Sequence, residues 1–207
     1  MKITIIDSSV ANLGSIRRTL DLMGTDNDVS SDPNYVADAK ALMLPGVGAF
    51  SVAIDRLRTL ELDRAIYTAV ERGAWILGIC LGMQLLATSS NEHGYHVGLG
   101  LIPGTVNRLE AGFGVLRVPN VGWRSVHWRE GSHFSPPWTR TPNYYFAHSY
   151  HVVPESRDST IGTMRLGSKD ISVSVRSGRI FGVQFHPEKS QAAGLHQLRM
   201  FSEMLNQ

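Results

Sequence analysis

Gly78-Ile79-Cys80-Leu81-Gly82 lies where two patterns of different period meet. Residues 75–79 are an apolar run without alternation, which is typical of a strand covered on both faces. Residues 81–88 predict a helix. A cysteine between two glycines at such a strand-to-helix turn is the cysteine form of the G-x-S-x-G nucleophile elbow.

The surroundings of Cys80 suit a nucleophile. The flanking glycines remove side chains that would collide with neighbouring elements on a tight, strained turn. The N-terminus of the helix favours thiolate over thiol and offers backbone N–H groups to an oxyanion. The competing interpretation is a buried structural cysteine, because free cysteine is among the most buried residue types. The elbow alone is compatible with either a nucleophilic or a structural cysteine.

Outward from the elbow, the first half of the chain alternates strand and helix patterns. Strands are predicted at Ile3–Ile6 and at residues 41–44, where a turn at residues 45–48 closes the second strand. Helices are predicted over residues 13–23, ending at Gly24, and over residues 50–72. Alternating strands and helices predict right-handed crossovers and a parallel sheet.

The second half of the chain has a different character, with short strand-like runs between Gly, Pro, Asn and Ser. The predicted strands are residues 105–109, 144–153, 171–176 and 180–185, and they suggest antiparallel strands appended to the parallel sheet. Residues 129–142 are polar and contain proline, so a loop is expected there. A last helix is predicted over residues 192–205, with one face formed by Leu195, Leu198, Phe201, Met204 and Leu205. We expect one α/β domain over residues 1–207.

Composition excludes several functional classes. Of the 207 residues, 43% are hydrophobic and 18% charged, which is typical of a globular protein. The net charge is +2 with scattered basic residues, so no nucleic-acid surface is indicated. No apolar stretch reaches the length of a secretory or membrane segment, and a single cysteine cannot form an internal disulfide. A cytoplasmic protein without membrane association is expected.

A base for the nucleophile is predicted at His186, in the run Gly182-Val183-Gln184-Phe185-His186-Pro187-Glu188. A thiol needs a neighbouring imidazole, and the imidazole needs a third group that orients it. Glu188 stands two residues after the histidine across a proline. The alternatives are an ordinary surface turn and zinc ligation, which a single cysteine supports poorly. We therefore expect no metal and no cofactor.

Together the two segments resemble the class I, or triad, glutamine amidotransferases, whose central motifs match residues 78–84 and 185–188 in the same chain order. The resemblance implies a three-layer α/β fold, with a central, mostly parallel sheet, helices on both faces and added antiparallel strands. It implies that Cys80 attacks the side-chain carboxamide of L-glutamine, that His186 transfers the proton and that Glu188 orients the imidazole ring.

The same resemblance assigns further residues. The backbone N–H of Leu81, and that of Val47 or Gly48 in the turn at residues 45–48, would form the oxyanion hole. Gln84 would help to hold the substrate. The segment His148-Ser149-Tyr150 is similar to the one that grips the α-amino and carboxylate ends of glutamine.

Five further segments extend the resemblance: residues 45–50, 98–104, 121–123, 145–150 and 184–191. Through them, nearly the whole chain resembles the glutaminase subunits of imidazole glycerol phosphate synthase, which act in histidine biosynthesis. This implies a heterodimer with a separate (β/α)₈-barrel cyclase, which would receive the ammonia. Asn12 and Trp123 are the expected interface residues, and for Trp123 ordinary packing is the alternative.

Three segments depart from the usual pattern of these subunits: residues 7–13, 119–124 and 90–94. A paralogue that supplies ammonia to another acceptor, such as a surface sugar, therefore stays open. A non-catalytic binding module is opposed by the intact triad. A cysteine peptidase is opposed by Gln84 and the turn at residues 45–48.

Overall fold

The computed structural model describes residues 1–9, 12–110 and 118–205. Val10 and Ala11, which belong to one of the departing segments, lie outside the described residues. The strands are β1 (Ile3–Ile6), β2 (Asn27–Ser30), β3 (Ala41–Gly46), β4 (Trp75–Cys80), β5 (Ala87–Ser90), β6 (His96–Val97), β7 (Ile102–Arg108), β8 (Asn120–Ser125), β9 (His127–Trp128), β10 (Asn143–His148), β11 (Tyr150–Pro154), β12 (Thr160–Leu166), β13 (Lys169–Ser177) and β14 (Ile180–Val183). The helices are α1 (Leu13–Leu22), α2 (Pro33–Asp38), α3 (Phe50–Thr59), α4 (Leu62–Glu71), α5 (Leu81–Leu85) and α6 (Gln191–Met204), with 3₁₀ turns at Arg157–Ser159 and Pro187–Lys189.

The central sheet has eight strands in the order β2-β1-β3-β4-β14-β13-β12-β9. The first five are mutually parallel, and the last three continue the sheet with antiparallel pairing. A four-stranded sheet, β11-β7-β5-β6, and a two-stranded sheet, β10-β8, lie beside it. The predicted α/β class, with a mostly parallel sheet and added antiparallel strands, is confirmed.

Helices cover both faces of the central sheet. Along β3, Ala41 and Met43 join one core cluster, whereas Leu42 and Leu44 join another. The first cluster contains apolar residues of α1 and α6, and the second contains those of α2, α3 and α4. Because successive side chains of a strand point to opposite faces, these two clusters are the two sides of a three-layer fold.

Several predicted elements have different bounds in the structure. The helix expected over residues 50–72 is two helices, and the left-handed backbone of Glu61, with φ of 55°, separates them. The helix expected over residues 81–88 ends at Leu85, because residues from Ala87 onward pair with β7. Strand β3 continues through Pro45 and Gly46, so the turn expected at residues 45–48 is shorter.

Pairing in the second half also corrects the predictions. Residues 144–153 form two strands in two different sheets, with Ser149 between them. Strand β14 was expected as an appended antiparallel strand; it pairs antiparallel with β13 but parallel with β4, so it belongs to the parallel core. Residues 129–142 contain no helix or strand, as expected, but Phe134 within them is buried. Leu195 is 39% exposed, and Gly194 and Gln197 occupy the buried face of α6 instead.

Candidate active site

Cys80 ends β4 and immediately precedes α5, at the elbow predicted from the glycine spacing. Its backbone has φ of 55° and ψ of −111°, a conformation that a residue with a side chain rarely adopts. Such strain persists only where the surrounding structure holds it, and it concentrates at functional sites. The side chain is 6% exposed, so the sulfur is enclosed while still lining a cavity.

The two glycines of the elbow are required by close packing. A Cβ at Gly82 would lie 1.7 Å from the carbonyl oxygen of Leu44, and one at Gly78 would lie 2.7 Å from the carbonyl oxygen of Gly82. Real Cβ atoms essentially never come within 3 Å of such atoms. The start of α5 therefore sits directly against β3, and this contact fixes the position of Cys80.

His186 and Glu188 reach the same edge of the sheet because β14 runs parallel to β4. Val183 pairs with Ile79, so both strands end side by side, and His186 follows β14 by three residues. The 3₁₀ turn at Pro187–Lys189 then places Glu188 against the imidazole ring. Nδ1 of His186 lies 2.9 Å from Oε1 of Glu188, and the two side chains are 7% and 3% exposed.

The charge state of His186 depends on its two neighbours. Burial acts to lower the pKa of His186, but the hydrogen bonds and charges of Cys80 and Glu188 outweigh it and raise the pKa to about 9. At neutral pH the ring is therefore protonated, between the Cys80 sulfur and the Glu188 carboxylate. This is the arrangement in which an imidazolium can later deliver a proton to a leaving amine.

Backbone contacts fix the position of His186. Its N–H donates to the carbonyl of Tyr145 at 2.9 Å, and its own carbonyl accepts from the Ser190 hydroxyl at 2.6 Å. The same hydroxyl accepts from the Tyr145 N–H at 3.0 Å. A Cβ at Gly194 would lie 1.9 Å from the Pro187 carbonyl, so α6 packs directly behind the turn.

A cavity of about 450 Å³ opens in front of the Cys80 sulfur. Its lining brings together the predicted nucleophile, base, oxyanion and substrate residues with others that were not predicted: Val47, Gly48, Cys80, Leu81, Gln84, Glu92, Pro119, Val121, Ala147, His148, Ser149, Tyr150, His186 and Lys189. Glu188 is absent from the lining because it lies behind His186. The volume suits a small amino-acid substrate rather than a macromolecule.

The predicted oxyanion residues flank the nucleophile on two elements. Gly46 is paired with Cys80 in the register of β3 and β4, so Val47 and Gly48 follow at the cavity edge. Leu81 is the first residue of α5. Gly48 has φ of 92°, which gives this turn a backbone conformation that favours glycine.

The predicted substrate residues form a connected group. The side-chain N–H groups of Gln84 donate to the Tyr150 carbonyl at 2.9 Å and to Oε1 of Gln184 at 3.0 Å. Nδ1 of His148 lies 2.8 Å from that same Tyr150 carbonyl, and its Nε2 lies 3.0 Å from the Asn120 amide. Burial lowers the pKa of His148 to about 4, so this ring is neutral and its two nitrogens are already engaged. The hydrogen bonds of His148 therefore link Asn120 to the Tyr150 carbonyl.

The predicted interface residues lie outside this cavity lining. Asn12 is exposed just before α1. Trp123 on β8 is 43% exposed and meets Tyr145 edge to face at 6.1 Å. Val47 and Val121, which do line the cavity, are 44% and 52% exposed, so two exposed apolar side chains lie at the cavity.

Glu92 and Gln184 are among the polar groups at the site that sequence reasoning missed. Glu92 lines the cavity, and its Oε2 accepts from the Phe50 N–H at 2.7 Å. Gln184 is fully buried, and its side-chain N–H approaches the Cys80 sulfur at 3.8 Å. The signal for Gln184 was its place two residues before His186. Glu92 had a weaker signal, as a carboxylate in the unusual run at residues 90–94.

Two further features bear on the class of site. In the described part of the chain, no helix combines the length and apolar character needed to cross a membrane. Nor do any three His, Cys, Asp or Glu residues of the described ranges come together as a metal site.

Comparison with known proteins agrees with this geometry. The family described as "Glutamine amidotransferase class-I" matches residues 3–203. Among solved structures, a glutamine amidotransferase crystal structure has a TM-score of 0.76 at 21% identity and covers 99% of both chains. A glutamine amidotransferase from Thermotoga maritima has a TM-score of 0.65 at 16% identity, over 100% of this chain and 84% of its own. The chain belongs to the class I glutamine amidotransferases.

Named relatives indicate which members of the class this chain is similar to. The imidazole glycerol phosphate synthase subunit HisH of Moorella thermoacetica is 43% identical over 206 residues, covering 98% of this chain and 95% of the relative. The subunit HisH of Salinibacter ruber is 42% identical over 205 residues, covering 97% and 94%. The corresponding subunit of Chlorobium luteolum is 39% identical over 199 residues, covering 96% and 98%. Within the class, these three HisH subunits each match this chain over nearly its whole length.

Proposed function

We propose that this chain is the glutaminase subunit of an imidazole glycerol phosphate synthase, hydrolysing L-glutamine to glutamate and ammonia. One observation carries the proposal: Cys80 at a strained elbow faces His186, which is paired with Glu188 at 2.9 Å, in a chain that matches HisH subunits over its full length. The ammonia would pass to a separate (β/α)₈-barrel cyclase that forms imidazole glycerol phosphate and AICAR in histidine biosynthesis. The exposed Trp123 and Asn12 are the residues that we assign to this heterodimer.

The proposed reaction begins with the thiolate of Cys80 adding to the carboxamide carbon of glutamine. The developing oxyanion is stabilised by the Leu81 N–H and by a backbone N–H of Val47 or Gly48. His186 gives its proton to the leaving nitrogen, ammonia departs, and a glutamyl thioester remains on Cys80. Water then attacks the thioester, with His186 as general base, and releases glutamate. Glu188 keeps the ring oriented throughout.

The other end of the substrate is assigned to the segment at residues 148–150, to Gln84 and to Glu92. Free glutamine carries an α-ammonium group, and Glu92 supplies a carboxylate among the described residues lining the cavity. Since one carboxylate oxygen already accepts from Phe50, the side chain is held in a fixed orientation. A charged acceptor in a fixed orientation is well suited to an ammonium ligand.

The experiment that tests the function is glutamate release by the purified chain, first by itself and then with the cyclase. We expect slow hydrolysis by the isolated chain and faster hydrolysis when the cyclase and its ligand are bound. No release of glutamate in the complete complex would overturn the proposal. The paralogue that serves a different acceptor is not favoured, because the full-length relatives described above are HisH subunits.

The pH dependence of the reaction should follow the protonation of His186. The raised pKa, about 9, means that the imidazolium is present below this pH and is lost above it. We therefore expect kcat/KM for glutamine to fall as the pH rises through about 9. In Glu188→Gln the charge that helps to hold the proton is gone, so this alkaline limb should move to lower pH. Stopped glutamate assays on both proteins, from near neutrality to above the pKa of about 9, measure it, and an unmoved limb in the variant would contradict the assignment of Glu188.

Removing the charge of Glu92 should weaken glutamine binding more than turnover. Glu92→Gln keeps an oxygen for the Phe50 N–H but loses the attraction for the α-ammonium group. We expect KM for glutamine to rise by about tenfold with little change in kcat, as for an interaction made equally in ground and transition states. Steady-state kinetics separate the two constants. A fall in kcat with constant KM would show that Glu92 acts elsewhere in the reaction.

A further inference from the structure

Gln184 connects the substrate segment to the nucleophile. It follows β14 directly, its backbone N–H donates to the Val173 carbonyl at 2.8 Å, and its side chain is fully buried. Its Oε1 accepts from Gln84 at 3.0 Å, and its Nε2 lies 3.8 Å from the Cys80 sulfur, within reach of an N–H···S contact. The reaction described above uses Cys80 and Gln84 but gives Gln184 no role.

The orientation of this amide is imposed by a backbone carbonyl. The carbonyl oxygen of Tyr150 can only accept, so Gln84 must present its NH₂ group there. The same NH₂ group faces Gln184, which must therefore present its oxygen to Gln84. The NH₂ group of Gln184 is then directed to the sulfur of Cys80. A flipped Gln184 would place two donors against each other.

The Tyr150 carbonyl, which determines the orientation of the Gln184 amide, is itself held in place by hydrogen bonds. Nδ1 of the neutral His148 ring lies 2.8 Å from the same Tyr150 carbonyl, and the amide of Asn120 lies 3.0 Å from Nε2 of that ring. Asn120, His148, Gln84 and Gln184 are 1%, 6%, 4% and 0% exposed, respectively. Buried hydrogen bonds that satisfy one another in series hold a single arrangement, because each alternative leaves a polar group unpaired.

We infer that Gln184 is a positioning residue for the nucleophile, donating a fixed amide N–H to the sulfur of Cys80. The inference rests on the proposed function and deepens it. His186 exchanges a proton with the sulfur, whereas an amide donor stays in place through the whole reaction. Its hydrogen bond is strongest when the sulfur carries negative charge, since bonds to ionised groups are about twice as strong as neutral ones. Gln184 should therefore affect the reactivity of the thiolate rather than the affinity for glutamine.

Two variants separate donation to sulfur from packing. Gln184→Glu keeps an oxygen for Gln84 but replaces the donor, and Gln184→Met keeps the approximate volume without either polar group. Gln197→Met is the matched control, because Gln197 is a glutamine of α6 that is 1% exposed and lies outside the catalytic residues. Cys80 is the sole cysteine in the sequence, so the mass increase on reaction with iodoacetamide reports on this sulfur alone.

At neutral pH we expect the rate of Cys80 alkylation to fall by about tenfold in Gln184→Met, through the loss of one charge-assisted hydrogen bond, and by at least as much in Gln184→Glu, whose carboxylate also repels the thiolate. In the complete complex, kcat should fall by a similar factor, with KM changing by less than about twofold. Gln197→Met should alkylate and turn over at the wild-type rate, whatever its melting temperature. Wild-type alkylation in a folded Gln184 variant, or an equal loss in Gln197→Met, would overturn the inference. If the wild-type complex releases no glutamate, the proposed function fails, while the alkylation comparison still decides the role of Gln184.

Discussion

Cys80→Ala should reduce glutamate release from glutamine by at least about a thousandfold, because removal of a triad nucleophile leaves only binding and the oxyanion hole. The structure gives the reason for expecting so large an effect. The sulfur is the group that faces both the base and the cavity, and the mechanism has no second nucleophile to replace it. The measurement is steady-state glutamate production in the complex with the proposed cyclase, where we expect the wild-type rate to be highest.

The variant should keep its fold, since alanine fills less space than cysteine at a position that is 6% exposed. Circular dichroism and partner binding are the controls. A soluble, partner-binding Cys80→Ala protein that still turned over glutamine within about tenfold of wild type would remove Cys80 from the mechanism. Loss of partner binding would instead mean that the substitution had disturbed the elbow.

Gly82→Ala should destabilise the protein by more than about 4 kcal/mol, or prevent folding, a size of effect reserved for severe steric or packing faults. The added Cβ would stand 1.7 Å from the Leu44 carbonyl oxygen, and this obstacle is backbone rather than the end of a flexible side chain. Either β3 or α5 must move, and Cys80 is paired with Gly46 of β3 and directly precedes α5. Chemical denaturation of any soluble variant measures the change.

Gly14→Ala is the matched control for this substitution. Gly14 lies in the first turn of α1, where the nearest atom to an added Cβ is Oδ1 of Asn12 at 4.0 Å. Because alanine favours helix more than glycine does, stability should hold or rise by about 0.5 kcal/mol. Equal destabilisation by the two variants would contradict the packing explanation for Gly82.

Local sequence patterns predicted the parts of the site that are close in the chain. The elbow at residues 78–82 is predicted because a strand pattern gives way to a helix pattern there. His186 and Glu188 are predicted as a pair because they lie only two residues apart. The meeting of these two segments depends on parallel pairing of β4 with β14, which no local pattern specifies. The resemblance to the amidotransferases supplied that link before the structure did.

Two of the incorrect predictions have a common physical origin in long-range strand pairing. The helix predicted over residues 81–88 stops at Leu85, because residues from Ala87 onward form a strand that pairs with β7. Residues 144–153 are predicted as one strand because strand-forming side chains occur throughout. In the structure they form two strands on either side of Ser149, one paired with β8 and the other with β7. Glu92 reaches the cavity by bonding to Phe50, 42 positions away. The position of such a loop residue is set by a contact distant in the chain, so the local spacing of residues does not predict it.

The division at Ser149 has a consequence for how ligand binding could be observed. His148 ends a strand paired with β8, and Tyr150 begins a strand paired with β7, in a different sheet. A molecule held by the segment between them restrains two sheets whose strands share no direct pairing. Amide hydrogen exchange should therefore slow in β7 and β8 together when glutamine is present, although residues 109–119 separate the two strands in the chain. Binding of glutamine in the cavity would then be detected far from the Cys80 sulfur, as slower amide hydrogen exchange in both strands.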